Sequence, residues 1–415
     1  MRQSLVKTSA VLLALILVMS LGQCTRADRA LAEATGQGSI AFLSGDKALG
    51  IPFKIVDELI VISARLNDSA PLNLYLDTGF GSPGVILFDP RLGQKLGLRY
   101  VTAVDLGGGG NKGGNRAGVA VGASLTLPGV RIVDQQVMVL SGNAPFASAW
   151  ADGAVGASLF GCVVEIDYDN QVLNLYEEVP QRVEESSERF DLSFTQGIPV
   201  VEAQVTLDSA KTIPVKLVVD TGAGLPLFLF TYSNSLFVPP RAHIAAKDEG
   251  LSGVMAYVAG RVPTLSLGKF TFSRPLTVFL DKEAMGPATV LGQDGFLGLE
   301  TQRNFNVVFD YAGERMFLDP NSKYGTGYDF NMAGLVLRTR RDGTIVVFDV
   351  VANSPAAQEG VRAGDLIVAI NDKAAGSISA DEVSRLFVQQ GKTVKLTVER
   401  NSRRLDFTLA LRRII

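Results

Sequence analysis

One histidine, His243, and two cysteines, Cys24 and Cys162, are all that the 415 residues hold of those types. A Ser-His-Asp triad would have to use His243, and no Gly-x-Ser-x-Gly turn accompanies it. His243 follows Pro239-Pro240 and reads as a surface loop residue. A zinc site of the usual Cys and His kind lacks ligands, so no metal and no cofactor is expected. A formal net charge of −3 provides no basic field, which argues against nucleic acid as a partner. No disulfide framework can be built, and Cys162, within Leu159-Phe160-Gly161-Cys162-Val163-Val164, reads as a buried inert thiol. Helical periodicity is scarce before about residue 325, which points to a mainly β chain. By elimination, any catalysis rests on carboxylates.

The apolar run from Ala10 to Met19 follows Arg2 and Lys7 and is short for a membrane span. Residues 1–32 read as an export signal. Leu21-Gly22-Gln23-Cys24 resembles a bacterial lipoprotein box, with Cys24 as the candidate lipidated residue and hence a membrane tether at the N-terminus. Gln23 departs from the small residue usual there, and cleavage after Ala30-Leu31-Ala32 is the alternative. Either route places the mature chain in the cell envelope, periplasmic or lipid-anchored.

What the chain does have is a long repeat. Tyr75-Leu76-Asp77-Thr78-Gly79 and Val218-Val219-Asp220-Thr221-Gly222 are short apolar strands running into Asp-Thr-Gly. Glycine stretches begin at Gly107 and Gly250, at matched distances downstream. Strand pairs follow at Leu125–Leu140 and Leu265–Leu280. Asp152-Gly153-Ala154-Val155-Gly156 then matches Asp294-Gly295-Phe296-Leu297-Gly298, and Ile166-Asp167-Tyr168 matches Phe309-Asp310-Tyr311. Self-similarity of this kind marks one lobe built twice. The lobes span residues 40–178 and 190–320. Between them Glu177 to Arg189 is acidic and polar and reads as a connection. Asp152, Asp294, Asp167 and Asp310 sit in turn-like settings and read as structural.

Two lobes that each carry Asp-Thr-Gly and a later apolar-Gly motif resemble the pepsin and retropepsin-like aspartic peptidases, over roughly residues 40–320. The resemblance implies two pseudo-symmetric β-barrel lobes that bring Asp77 and Asp220 together as catalytic residues. Thr78, Gly79, Thr221 and Gly222 would support the two loops, the threonines joining them through their hydroxyls. It also implies hydrolysis of peptide or protein substrates, and a covering flap for which Gly107, Gly108, Gly109 and Gly110 are the candidates. Two close carboxylates share one proton: the ionised member activates water and the protonated one hydrogen-bonds the scissile carbonyl. Pepsins place Ser or Thr after Asp-Thr-Gly. Here Phe80 and Ala223 stand there, and Phe80 with Gly81-Ser82-Pro83-Gly84 would re-route the first loop.

From about Gly325 the pattern becomes α/β. Ser354-Pro355-Ala356-Ala357-Gln358-Glu359-Gly360-Val361-Arg362-Ala363-Gly364-Asp365, running into Leu366–Ile370, closely resembles bacterial PDZ domains over residues 325–412. The resemblance places a carboxylate-binding loop at Met332, Ala333, Gly334 and Leu335, where N–H groups would converge on a C-terminal peptide ligand. Met332 departs from the usual glycine. Two readings follow: an envelope aspartic endopeptidase with PDZ-mediated recognition, or a catalytically silent scaffold that binds peptides.

Overall fold

The structure is a computed structural model that describes residues 38–142, 150–286, 288, 292–340, 342–378 and 380–415. The export signal and Cys24 lie outside the described residues. Among those described, no helix is long and apolar enough to cross a membrane.

The chain is mainly β: two pseudo-symmetric lobes followed by a small α/β domain. In the first lobe six strands close into a ring. Leu59–Leu66 pairs with Leu72–Leu76, which runs parallel to Gly153–Val155; Val85–Leu87, Val130–Leu140 and Asn115–Leu127 follow. The ring closes where Leu66 meets Leu125. The second lobe repeats the scheme with Ile198–Thr206, Thr212–Asp220, Gly295–Gly298, Leu227–Phe230 and Leu276–Leu280. Its counterpart of the long first-lobe hairpin is broken at Pro263 and Pro275, because proline cannot donate to a sheet ladder.

Alternation explains how these strands sit. In Thr212–Asp220 every second side chain is exposed up to Lys216, and the last four residues are all buried. The strand thus starts with one wet face and ends between packed layers. Midway along it, where the alternation ends, the Lys216 N–H donates to Asp294 Oδ2 at 2.9 Å. Asp152 does the same for Asn73 in the first lobe at 3.0 Å. Asp167 and Asp310 likewise hold turns, accepting from the Asn170 and Gly313 N–H groups at 2.9 Å each.

The lobes share a sheet. Val163–Asp167 of the first pairs with Phe305–Asp310 of the second through Val164 opposite Phe309 and Ile166 opposite Val307. Around it one continuous apolar core takes residues from both copies, including Ile166, Leu173, Phe305 and Phe309. The acidic connection is not plain loop. It contains a helix, Gln181–Ser186, whose one buried residue is Val183. A second short helix, Pro90–Lys95, starts at an Asp89 side chain that accepts the Arg91 N–H.

Residues from Leu335 onward form a sheet of Leu335–Thr339, Ile345–Val350, Leu366–Ile370, Thr393–Arg400 and Arg403–Ala410, with helices Pro355–Glu359 and Ala380–Phe387. The first helix has Ser354 as N-cap, proline in its first turn and Gly360 at φ +89° as its end. Asp365 then receives a two-pronged ion pair from Arg400, at 2.6 and 2.7 Å, beneath the turn. This domain packs onto the second lobe. Tyr328, Phe330, Val336 and Val351 join the apolar cluster of Phe228, Tyr257 and Met285.

Candidate active site

Asp77 and Asp220 stand where the strands Leu72–Leu76 and Thr212–Asp220 end. In each copy the preceding strand runs parallel to the Gly-motif strand in the same register: Leu74 opposite Gly153, Leu217 opposite Gly295. The parallel ladder fixes the depth of each aspartate, and the glycine that follows turns the chain beneath it. The two turns meet at the lobe interface through an exchange of hydrogen bonds. The Thr221 hydroxyl donates to the Leu76 carbonyl at 2.7 Å and accepts the Thr78 N–H at 3.0 Å. The Thr78 hydroxyl donates to the Val219 carbonyl at 2.6 Å and accepts the Thr221 N–H at 2.9 Å. All of these groups are buried, where an unmade bond is costly.

Gly79 of the first lobe lies directly against the carboxyl of the second. A Cβ there would come within 2.7 Å of Asp220 Oδ1 and 2.9 Å of Oδ2. Glycine at this place is therefore a matter of room. The Asp77 and Asp220 carboxyls lie close enough for each charge to act on the other, and both residues are wholly buried. The Gly222 N–H on Asp220 Oδ1 at 2.7 Å is their close donor. Ser82 gives neither oxygen of Asp77 a hydrogen bond.

Burial is the main reason both groups resist ionisation. Asp77 is held well above the ordinary carboxylate range, first by burial and then by the Asp220 charge. Asp220 is pushed up to about 7 by burial, partly offset by the Gly222 N–H, by Asp77 and by the N–H groups of Gly79 and Ala223. The Gly222 N–H on Asp220, with no such donor on Asp77, favours Asp77 as the member that keeps the shared proton.

Phe80 does not turn Asp77 away. Its N–H donates to the Asp77 carbonyl at 3.2 Å, and its ring enters an apolar cluster with Tyr75, Phe88, Leu106 and Val119. Gly156 makes room for it, since a Cβ there would lie 1.9 Å from the Phe80 carbonyl oxygen.

Gly107, Gly108, Gly109 and Gly110 are buried and clasped to the second lobe. Ser252 donates its N–H to the Gly109 carbonyl at 2.9 Å, and its own carbonyl accepts the Lys112 N–H at 2.8 Å. Gly110 N–H reaches the Ala284 carbonyl at 2.8 Å, and Asn111 N–H the Val254 carbonyl at 3.1 Å. Gly109 rests on Met255, whose sulfur a Cβ would meet at 2.5 Å. The glycine stretch thus meets a second loop, Gly250-Leu251-Ser252-Gly253, signalled in the sequence only by the match of Gly250 to Gly107.

The loop Met332, Ala333, Gly334 and Leu335 differs from the expectation. It is buried, and its donors are in use. Met332 N–H goes to the Phe387 carbonyl at 2.8 Å, Ala333 N–H to Asn331 Oδ1 at 3.0 Å and Gly334 N–H to the Asn331 carbonyl at 3.0 Å. As it stands, the loop does not converge free N–H groups on a carboxylate. The domain instead holds the second lobe: Asp349 accepts the Lys247 N–H at 2.7 Å, and Arg338 is ion-paired with Asp248 on the strand leading to Gly250-Leu251-Ser252-Gly253. Tyr328 reaches the first lobe, donating to Glu58 at 2.9 Å. His243 is an exposed first residue of that same strand, its ring nitrogen against the Pro240 carbonyl at 2.7 Å. Among the described residues no group of His, Cys, Asp and Glu could hold a metal ion.

Fold and site together define a two-lobed β protein with a buried aspartate pair at its lobe interface and an α/β domain attached. Residues 327–411 match the PDZ domain family, and this stretch is a PDZ domain. No curated protein matches the chain. Among solved structures, the aspartic proteinase from Irpex lacteus is similar at 12% identity and a TM-score of 0.43, over 69% of this chain and 99% of that one.

Proposed function

We propose that the chain is an aspartic-type endopeptidase of the bacterial cell envelope that cuts extended peptide or protein substrates, its PDZ domain taking part in recognition of substrate or partner. The observation that carries the reading is the buried Asp77–Asp220 pair, aligned by reciprocal threonine bonds across the lobe interface. Carboxyls this close share one proton. Asp220, whose carboxylate accepts the Gly222 N–H, takes a proton from water as that water attacks the scissile carbonyl. Asp77 donates its proton to the carbonyl oxygen, and the tetrahedral species collapses as the leaving nitrogen is protonated. In this reading substrate enters as the two clasped loops part. Because both carboxyls are raised, the singly protonated state persists toward neutral pH, which suits an envelope setting.

The test is a peptide-library digest with the mature protein beside Asp220→Asn. Cleavage by the wild type, falling by about 10²–10⁴-fold in the variant, is the expected result for loss of a general base. Equal cleavage by both proteins, or none by either from acidic to alkaline pH, would overturn the reading.

A further inference from the structure

We infer that Leu251 occupies a substrate side-chain pocket on the first-lobe side of the aspartate pair, and that this pocket takes a leucine-like aliphatic residue of the peptide when Leu251 leaves. The inference rests on the peptidase reading for the class of ligand. Leu251 belongs to the second lobe yet is 1% exposed within the first lobe's cluster of Tyr75, Phe80, Leu106 and Val119. It is the one second-lobe residue in that cluster, whose other fully buried members run from Leu59 to Ala154. Phe80 ties the cluster to the site through its N–H on the Asp77 carbonyl.

The backbone around Leu251 is anchored across the same interface. Asn115 donates its side-chain N–H to the Leu251 carbonyl at 2.6 Å, and Ser252 exchanges backbone bonds with Gly109 and Lys112. Parting the loops therefore withdraws Leu251 from the first lobe and leaves an apolar hole shaped by a leucine. Nothing equivalent happens on the other side. The first-lobe loop meets Met255 with glycine, Gly109, which carries no side chain to withdraw. The two sides of the site are thus unequal despite the repeat. Charged or small polar side chains would leave the vacated cluster unfilled or desolvate a charge there. An aliphatic one replaces the contacts that Leu251 gives up.

The experiment measures binding, so it does not depend on turnover. Full-length Asp220→Asn protein, with Leu251 intact or changed to Ala or Val, is titrated with fluorescent peptides carrying Leu, Ala, Ser or Asp at one central position. The Leu peptide is expected to bind best. Leu251→Ala is expected to tighten it about tenfold, since the ligand no longer competes with an internal side chain, with Leu251→Val shifted the same way by less. Amide exchange at Ser252 and Lys112 should accelerate in both variants. Weaker or unchanged binding in the variants, no preference for Leu, no binding at all, or unchanged exchange would each overturn the proposal. Binding as expected, with no cleavage by the wild-type chain, would sink only the peptidase reading.

Discussion

Replacing Thr221 with valine nearly preserves the side chain's volume and removes one oxygen. That oxygen accepts the Thr78 N–H at 3.0 Å and donates to the Leu76 carbonyl at 2.7 Å, in an interface where both threonines are buried. Each buried group left without a partner costs about 1–3 kcal/mol, so the pair costs about 2–6 kcal/mol. Thr221→Ser keeps the oxygen and gives up one methyl, about 1 kcal/mol. The difference between the two variants isolates the hydrogen bonds from the packing. Urea unfolding of the full chain, followed beside amide exchange at Thr78, should place Thr221→Val well below Thr221→Ser, with Thr78 exchange faster in the valine variant. If the two variants unfold together, the hydroxyl exchange does not hold the lobes, and the alignment of the aspartates has another cause.

The raised Asp220 carboxyl makes stability depend on pH. The folded chain keeps a proton that the unfolded chain loses above its ordinary value of 3.8, so stability present in full below that value is lost as pH rises toward about 7. Asp220→Asn should therefore melt higher than wild type at about pH 8 and lose that advantage toward about pH 4; a gap independent of pH in thermal melts would contradict this. The PDZ domain should prove structural as well as recognitive, because Phe330 packs in the second lobe's cluster. Phe330→Ala, at about 3–5 kcal/mol, should speed amide exchange at Lys247 in the second lobe, and an effect confined to residues beyond 335 would refute the coupling.

The repeat could be read from the residues because its signals are local. Asp-Thr-Gly, the Gly-motif strands and the alternation in Leu72–Leu76 each specify a short stretch, and matched spacing joined them. The PDZ domain was legible for the same reason, through the cap Ser354-Pro355 and the turn Gly364-Asp365. What could not be read depends on partners distant in the chain. The helix Gln181–Ser186 has Val183 alone to bury, too little to set a period. That Met332 would spend its N–H on Phe387 follows from how a helix end packs, which no local pattern encodes. Arg338, Asp248, Asp349 and Glu58 are scattered charges until the domains meet. Leu251 is one leucine among glycines, and its neighbours come from the other lobe.

The pairing of Val163–Asp167 with Phe305–Asp310 also bears on how the protein is made. Near the end of the first copy, Val163–Asp167 pairs on one side with Val172–Tyr176, and its second neighbour is synthesised only near the end of the second copy. Contacts so distant in sequence close late and fold slowly. Until they close, the first copy presents an open edge of N–H and C=O groups able to pair with another chain. A molecule halted during synthesis or export before residue 305 would carry that bare edge, and the doubled architecture matures as one unit.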